Sequence, residues 1–423
     1  MELSDINLLD QDVFAERVPH EWFRALRDQA PVYHHPEPDG PGFWVFSRHE
    51  DVALLNRNWE QLSSDQARGG VVGLAEMTPE RKAANDAVTR SGAANMMLTM
   101  DPPEHTRYRK LVNRGFTPRV IRSLEDHLRE ISVKIIERAL AKDDGRSDFV
   151  VDVAAELPLE AIAEFLGVPY EDRHKLFEWS NNMIGSEDPE YAISESATNQ
   201  ARFEMYMYSN ALGADRRLHP RDDIVSKLIH GEVDGEKLSE MDFDLFFLLL
   251  AVAGNETTRN ALAHGMAALL DNPEAYRAMV DDPSIIERTA IDEVLRWATP
   301  VMYFRRNMTE DMEYKGQHIA AGDKVSLWYM SANRDERVFD DPYTFDIHRE
   351  PNPHVAFGGG GPHHCIGVHL AKMEMKVMFE ELVARVPRID KAGSPARLRS
   401  NFVNGIKHLP VQLIPASRPV SIL

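Results

Sequence analysis

The sequence predicts a mainly helical fold with a small β region. Three observations carry this expectation. A strongly apolar helix opens at Ser239 and runs to about Leu270. A second apolar stretch, with Leu370, Met373, Val377, Met378 and Leu382 at helical spacing, follows the single cysteine and stops at Pro387. Strand-like runs are short: Val32-Tyr33, Phe43–Phe46, and Tyr303–Arg306, His318-Ile319 and Lys324–Tyr329. No internal repeat or low-complexity linker divides the 423 residues, so a single domain over 1–423 is expected.

Residues 20–31 read as a helix, and the first two strands flank a Pro/Gly turn from Pro36 to Gly42. Ser47 and Glu50 make a capping box for a short helix. Residues 66–98 read as irregular and mix Gly69, Gly70 and Gly73 with Val71, Val72, Leu74, Met77, Met96, Met97 and Leu98, which suggests a ligand-facing loop, with a flexible surface excursion as the alternative. At Pro102-Pro103 a helix starts, and it sets His105 and Arg109 on one face. Two donors on one face can hold a carboxylate, although a solvated basic face is the commoner outcome. Residues 120–142 and 150–166 look like amphipathic helices. From 170 to 215 the chain is rich in Met and aromatic residues, and Gly185 and Pro189 suggest two helices with a mobile joint, a lid.

The helix from Ser239 would be roughly 45–50 Å long. It is apolar almost all round from Phe243 to Ala253, so it belongs at the centre. Its middle reads Ala253-Gly254-Asn255-Glu256-Thr257-Thr258. Glycine is costly inside a helix, and an acid beside two β-branched alcohols is out of place there. Such a break in mid-span points to function. Ala253-Gly254 would make room for a flat group or small molecule, and Glu256-Thr257 would pass protons inward. The plainer reading is a kink at a packing contact. Further on, Ser284 and Glu287 form another capping box, and Glu293 and Arg296 are spaced to pair. A buried pair needs a third partner, for which Arg349 is the candidate. The tail, Phe402-Val403-Asn404-Gly405-Ile406, reads as a hairpin with an Asn-Gly turn.

The net charge of −20 makes nucleic acid and anionic membrane surfaces poor partners. One cysteine excludes an intrachain disulfide and fits a reducing cytosol. The acidic, polar start Met1–Asp5 lacks the features of a signal or membrane anchor, so a cytoplasmic location is expected.

The cysteine ends the run Val355-Ala-Phe-Gly-Gly-Gly-Gly-Pro-His-His-Cys-Ile-Gly367. Four glycines suit a backbone that approaches something flat. Cys365 at a helix start is biased towards thiolate and suits a metal. A small buried hydrophobe is the plain alternative. Zinc held by His363, His364 and Cys365 is disfavoured because adjacent side chains diverge. A phosphate cradle would want a basic or hydroxyl residue after the glycines.

Together these residues resemble the cytochrome P450 monooxygenases, from about residue 15 to about residue 415. The acid–alcohol pair matches Glu256-Thr257, the Glu-x-x-Arg signature matches Glu293 and Arg296 with Arg349, and the haem-ligand loop matches Gly361, His363, Cys365 and Gly367. There is one departure: Phe357 stands eight residues before Cys365, not seven, and the slot seven before is Gly358. The resemblance implies that fold, with heme b (iron protoporphyrin IX) between the long helix and the cysteine loop, and Cys365 on iron. It implies Ala253, Gly254, Phe357, Gly358 and Gly367 against the haem, and His105, Arg109, Arg306 and His363 on its propionates. It also implies a soluble bacterial monooxygenase, a monomer, with NAD(P)H electrons delivered by ferredoxin and ferredoxin reductase.

The stretches Asn255–Asn260, Trp297–Val301, Asn352–Val355 and Asn404–His408 are similar to those of enzymes that hydroxylate sterol side chains and methyl-branched lipids, with terpenoid hydroxylases nearby. By that family's layout Val72, Met96, Met97, Leu250, Val301, Met302, Phe402 and Val403 would line an apolar pocket. A haem-thiolate peroxygenase and a non-catalytic haem sensor are the rival readings. The acid–alcohol pair speaks against the first.

Overall fold

The computed structural model describes residues 1–416 apart from 91–95, 143–144, 185–187, 192–194, 222, 233–234 and 236. The chain opens with α1 (Gln11–Glu16) and α2 (His20–Gln29), then β1 (Val32–His35), β2 (Phe43–Phe46), α3 (His49–Leu55), β3 (Leu62–Ser63) and α4 (Pro79–Arg90). Next come α5 (Glu104–Val112), α6 (Pro118–Arg122), α7 (Glu125–Ala141), β4 (Arg146–Asp148), α8 (Glu156–Phe165), α9 (Arg173–Ile184), α10 (Glu195–Leu218) and α11 (Ile224–Ile229). The long helix is α12 (Glu240–Asp271), followed by α13 (Pro273–Asp281), α14 (Ile291–Ala298), β5 (Tyr303–Met308), β6 (Met312–Tyr314), β7 (Gln317–Ile319), β8 (Lys324–Trp328) and α15 (Tyr329–Ala332). The chain then forms α16 (Val368–Arg385), β9 (Arg388–Lys391), β10 (Ala396–Arg397), β11 (Ile406–His408) and β12 (Pro410–Ile414).

Ser239 starts α12 for a stated physical reason. Its side chain accepts from the Asp242 N–H, while the Asp242 side chain accepts from the Ser239 N–H, so two orphan donors are satisfied at once. From Phe243 to Ala251 nearly every side chain is buried, and the helix packs on α8, α9, α10, α14 and α16. The main sheet has the order β1-β2-β8-β5-β3, with β2 and β8 parallel and the other neighbours antiparallel. It stands apart from the helical core and has apolar clusters of its own, one against α3 and one against α1 and α2. Among the described residues no helix is long and apolar enough to cross a membrane.

Glu293 and Arg296 are wholly buried on α14. Arg296 donates to both Glu293 oxygens at 2.7 Å and to the carbonyls of Asn333, Pro342 and Thr344 at 2.9, 2.8 and 3.2 Å. Arg349 Nε donates to Glu293 Oε2 at 3.1 Å, and the Asn352 amide joins it at 3.1 Å. The triad fixes the segment that leads into the cysteine loop.

Several local expectations are corrected. Ser47 does not cap α3: its hydroxyl donates to the Pro31 carbonyl, and the distant Asp335 carboxylate accepts from the His49 N–H at 2.9 Å. Ser284 turns to Asp282 Oδ1 at 2.6 Å, and the next turn, Ile286–Ala290, is a wider π-type one. The stretch 66–98 contains α4, so it is not irregular throughout. The expected helix over 120–142 divides into α6 and α7. Gly185 lies outside the described residues, although α9 and α10 stand where two helices were expected. In the tail, β10 pairs with β11, but the turn is not Asn-Gly: neither Asn404 nor Gly405 has a positive φ. Asn404 is instead drawn to the Ala298 carbonyl and to Arg397 Nη2.

Candidate active site

Three elements wall one cavity. On one side α12 presents Leu250, Ala253, Gly254, Thr257, Thr258 and Ala261. Facing them are the cysteine loop and the first turns of α16, with Phe357, Gly358, His363, Cys365, Gly367 and Leu370. His105 and Arg109 of α5 and Arg306 of β5 reach the same cavity. Met97, Leu98, Phe116, Phe246, Leu249, Leu295, Pro300, Val301 and Phe304 make the rest of the wall almost wholly apolar.

The loop is built by its glycines. Gly358, Gly359, Gly360 and Gly361 have φ of 95°, 58°, 107° and 79°, a left-handed run that other residues resist. The expectation was a backbone close to something flat. What crowds the run is α3 and the two residues after it: a Cβ on Gly359 would lie 3.2 Å from Ala53 Cα, and one on Gly361 would lie 3.0 Å from Arg57 Cα. The loop then folds back, and the Cys365 N–H donates to the Phe357 carbonyl at 3.0 Å.

Cys365 presents accessible surface to the cavity while protein encloses the thiol on its other sides. Burial pushes that thiol up, against the opposing pull of the Gly367 amide and the Arg109 charge. The helix start thus supplies a pull towards thiolate through the Gly367 amide, and burial outweighs it. A metal would make the thiolate, since coordination removes the proton.

At one end of the cavity the basic groups gather. The His105 and His363 rings stand 4.3 Å apart. His105 Nδ1 and His363 Nε2 are buried without a hydrogen-bond partner among the described residues. Burial, with neighbouring cations, pushes His363 down to about 2 and His105 down to about 4. Arg306 is buried and donates to the Arg305 carbonyl at 2.8 Å. The only carboxylate among the described lining residues is Glu374. Four basic side chains converging with no anion among them fit an anionic group such as the propionates of a haem. With a cysteine on one wall and small residues opposite, the donor set fits that cofactor.

On α12, Thr257 is open to the cavity, and its hydroxyl donates to the Ala253 carbonyl at 2.8 Å, a bond that competes with the helix ladder. Glu256 is turned away. It is buried, paired with Arg259, and accepts from Asn260 Nδ2 at 2.8 Å. Gly254 lines the cavity as well. Its missing Cβ leaves space taken by Ile162 of α8: a Cβ there would lie 2.7 Å from Ile162 Cγ1.

Of the expected pocket residues, Met97, Leu250 and Val301 line the cavity. Val72 is exposed, 43% accessible. Met302 is fully buried in the cluster around Phe14 and Trp328, and Phe402 packs on that cluster. Met96 packs on the helical core outside the cavity, and Val403 bridges to Val301 from behind. Neighbouring residues in extended chain point to opposite sides, so Val301 with Met302 could never both face the cavity. Glu374 was missed. It sits in the apolar stripe between Leu370 and Val377, and an acid in that register was the available signal. Both its oxygens are buried without a partner, and burial pushes the carboxyl up to about 8.

A family model for cytochrome P450 matches residues 286–386. The chain is 44% identical to a steroid C26-monooxygenase of Mycolicibacterium smegmatis over 98% of this chain and 95% of the relative. It is 40% identical to a methyl-branched lipid omega-hydroxylase of Mycobacterium tuberculosis over 97% of this chain and 95% of the relative. Among solved structures, a Mycobacterium marinum cytochrome P450 in complex with pseudoionone superposes with a TM-score of 0.86 at 36% identity, covering 95% of this chain and 97% of that one.

Proposed function

The chain belongs to the cytochrome P450 family, and from that premise we propose which oxidation it performs and which residues serve it. It is a hydroxylating oxidoreductase whose cofactor is heme b. When bound, that group supplies the activation of dioxygen, with thiolate donation favouring O–O cleavage. In our reading one atom of O2 enters a C–H bond of an apolar substrate, a sterol or steroid side chain or a methyl-branched or terpenoid lipid. Electrons come from NAD(P)H through ferredoxin reductase and ferredoxin, and the protein works in the cytoplasm. Residues 1–423 act as one domain.

The observation that carries this reading is that the Cys365 thiol and the Thr257 hydroxyl, from two different elements, line one largely apolar cavity. Each residue then has a task. Cys365 would ligate the iron. His105, Arg109, Arg306 and His363 would bind the propionates, satisfying the orphaned ring nitrogens. Ala253 and Gly254 of α12, with Phe357, Gly358 and Gly367 of the loop, would bound the two faces of the group. Thr257 holds a proton at Oγ1 beside the cavity, and its bond to the Ala253 carbonyl fixes that hydroxyl. Glu256 would refill that proton from its outer side. The apolar walls exclude bulk water and leave shape to choose the carbon that reacts. Met97, Leu250 and Val301 contribute to that shape. The names of the relatives support the substrate class, since they act on steroids and methyl-branched lipids.

One observation favours a second reading. Glu256 faces Arg259, away from the cavity, and a peroxide-driven enzyme needs no proton relay. The test is turnover of steroids, branched lipids and terpenes with NADH, ferredoxin reductase and ferredoxin under labelled O2. We expect a high-spin shift of the Soret band and one labelled oxygen in the product. Turnover with hydrogen peroxide alone would select the second reading, and haem binding without any spectral response or oxygen uptake would leave a sensor.

A further inference from the structure

The Asn404–His408 stretch has no task in the site, yet it ends in an unusual polar cluster. Lys407 Nζ lies 2.9 Å from Asp188 Oδ1 and 2.7 Å from Glu190 Oε2. His408 Nε2 lies 2.7 Å from Glu190 Oε1, and its Nδ1 lies 2.6 Å from Asp148 Oδ2. The buried Asp188 also accepts from the Arg399 N–H at 2.8 Å. We infer that His408 is a proton-dependent clasp, whose doubly protonated ring holds the turn Asp188–Tyr191, between α9 and α10, onto the end of β11.

The geometry requires the second proton. A neutral imidazole has one N–H and one lone pair. Here both ring nitrogens face carboxylate oxygens, so a neutral ring would set a lone pair against one of them. Asp148 cannot easily turn away, because its Oδ1 already accepts from the Val150 and Leu409 N–H groups at 3.0 Å each. Glu190 is likewise fixed by Lys407. Among the described residues the charged groups facing the ring are Asp148 from β4, Glu190 from the turn and Lys407 from its own strand. Lys407 is offset by Asp188 and Glu190, and the Lys142–Asp152 pair lies beyond Asp148. The hydrogen bond to Glu190 is the main reason the ring holds its proton above the usual histidine range, with Asp148 adding to it and burial opposing. The clasp is therefore fully made below the ordinary histidine value and is lost as pH rises through the raised one.

The turn covers something of consequence. Tyr191 lies under Lys407, 5.9 Å from Nζ to the ring centre, and its phenol feels the charges of Arg259 and Glu256. Releasing the turn would expose the outer side of the Glu256–Arg259 pair to water. That consequence rests on the role given to Glu256 above, whereas the clasp itself does not.

The experiment is amide hydrogen exchange of the haem-loaded full chain across a pH series, corrected for intrinsic rates, with His408→Gln and Glu190→Gln beside wild type. We expect exchange at Glu190 and Tyr191 to rise roughly two- to tenfold in wild type as pH increases, the worth of one such hydrogen bond. Both variants should lose that pH dependence and exchange at the higher level throughout. A flat wild-type profile, or the same slope in both variants, would overturn the clasp. Exchange does not need turnover, so failure of the oxygenase reading would show in product formation and leave these profiles unchanged.

Discussion

Glu374 makes a prediction about stability that the fold alone would not suggest. The side chain is buried on α16, lines the cavity, and makes no well-formed hydrogen bond on either oxygen among the described residues. Burial raises its carboxyl from the ordinary 4.5 to about 8, opposed only by the Thr258 hydroxyl. Below the lower value both folded and unfolded chains hold the proton, so the residue costs nothing by titration. Between the two values the unfolded chain releases the proton and the folded chain keeps it. Folding stability then falls as pH rises, by about 1.4 kcal/mol per pH unit and by about 5 kcal/mol over the whole window. Above the higher value the loss is complete and the slope ends. Glu374→Gln keeps the shape and removes the titration. Urea unfolding of haem-loaded wild type and variant, from about pH 4 to about pH 9, should therefore show a gap that widens in the variant's favour by several kcal/mol. Parallel curves would refute the reasoning, because they would mean that Glu374 is ionised and solvated in the folded protein. Infrared difference spectra give an independent check: wild type should show a protonated-carboxyl band at neutral pH that the variant lacks.

Three further outcomes follow from the geometry. Gly254→Ala forces a methyl onto Ile162 and should cost about 1–3 kcal/mol, part of which Ile162→Val restores in a double-mutant cycle; strictly additive thermal shifts would mean that the two do not touch. Arg296→Lys leaves Glu293 with fewer donors in a wholly buried site, and a loss of about 3–5 kcal/mol should appear as poor recovery of haem-loaded protein. Thr257→Ala removes the hydroxyl beside the cavity without touching its apolar walls, so substrate-induced spectra should persist while most NADH oxidation goes to peroxide in place of product; unchanged coupling would dismiss the relay.

The parts of the site that were legible in the sequence are those where one residue type has few alternative uses. A single cysteine after four glycines, an acid and two alcohols inside an apolar helix, and Glu293 spaced three from Arg296 are each costly in an ordinary core, and the structure brings the cysteine and the two alcohols to one cavity. What was not legible depends on long-range competition. Ser47 had the right spacing to cap α3, yet Asp335, far along the chain, took the amide that the cap would have served. Gly254 and Gly358 line the cavity, but what the sequence could not tell is that Arg57 and Ile162 occupy the space that the absent side chains of Gly361 and Gly254 leave. Sequence states that a Cβ is missing; only packing states what arrives in its place.

The same distinction separates the two acids nearest the cavity. Glu256 drew notice because it interrupts α12, but the fold gives it Arg259 and Asn260, so it is held outward. Glu374 drew none, yet it has no such partners and keeps its proton at the cavity edge. A carboxylate that must stay ionised in a core needs donors, and a carboxyl without donors stays neutral. The paired acid is thus the one held outward, and freeing it for proton traffic requires that Arg259 move. The unpaired acid already carries a proton where the cavity can reach it. Which of the two feeds Thr257 is decided by comparing Glu256→Gln with Glu374→Gln for peroxide release: the variant that uncouples NADH use from product marks the acid on the path.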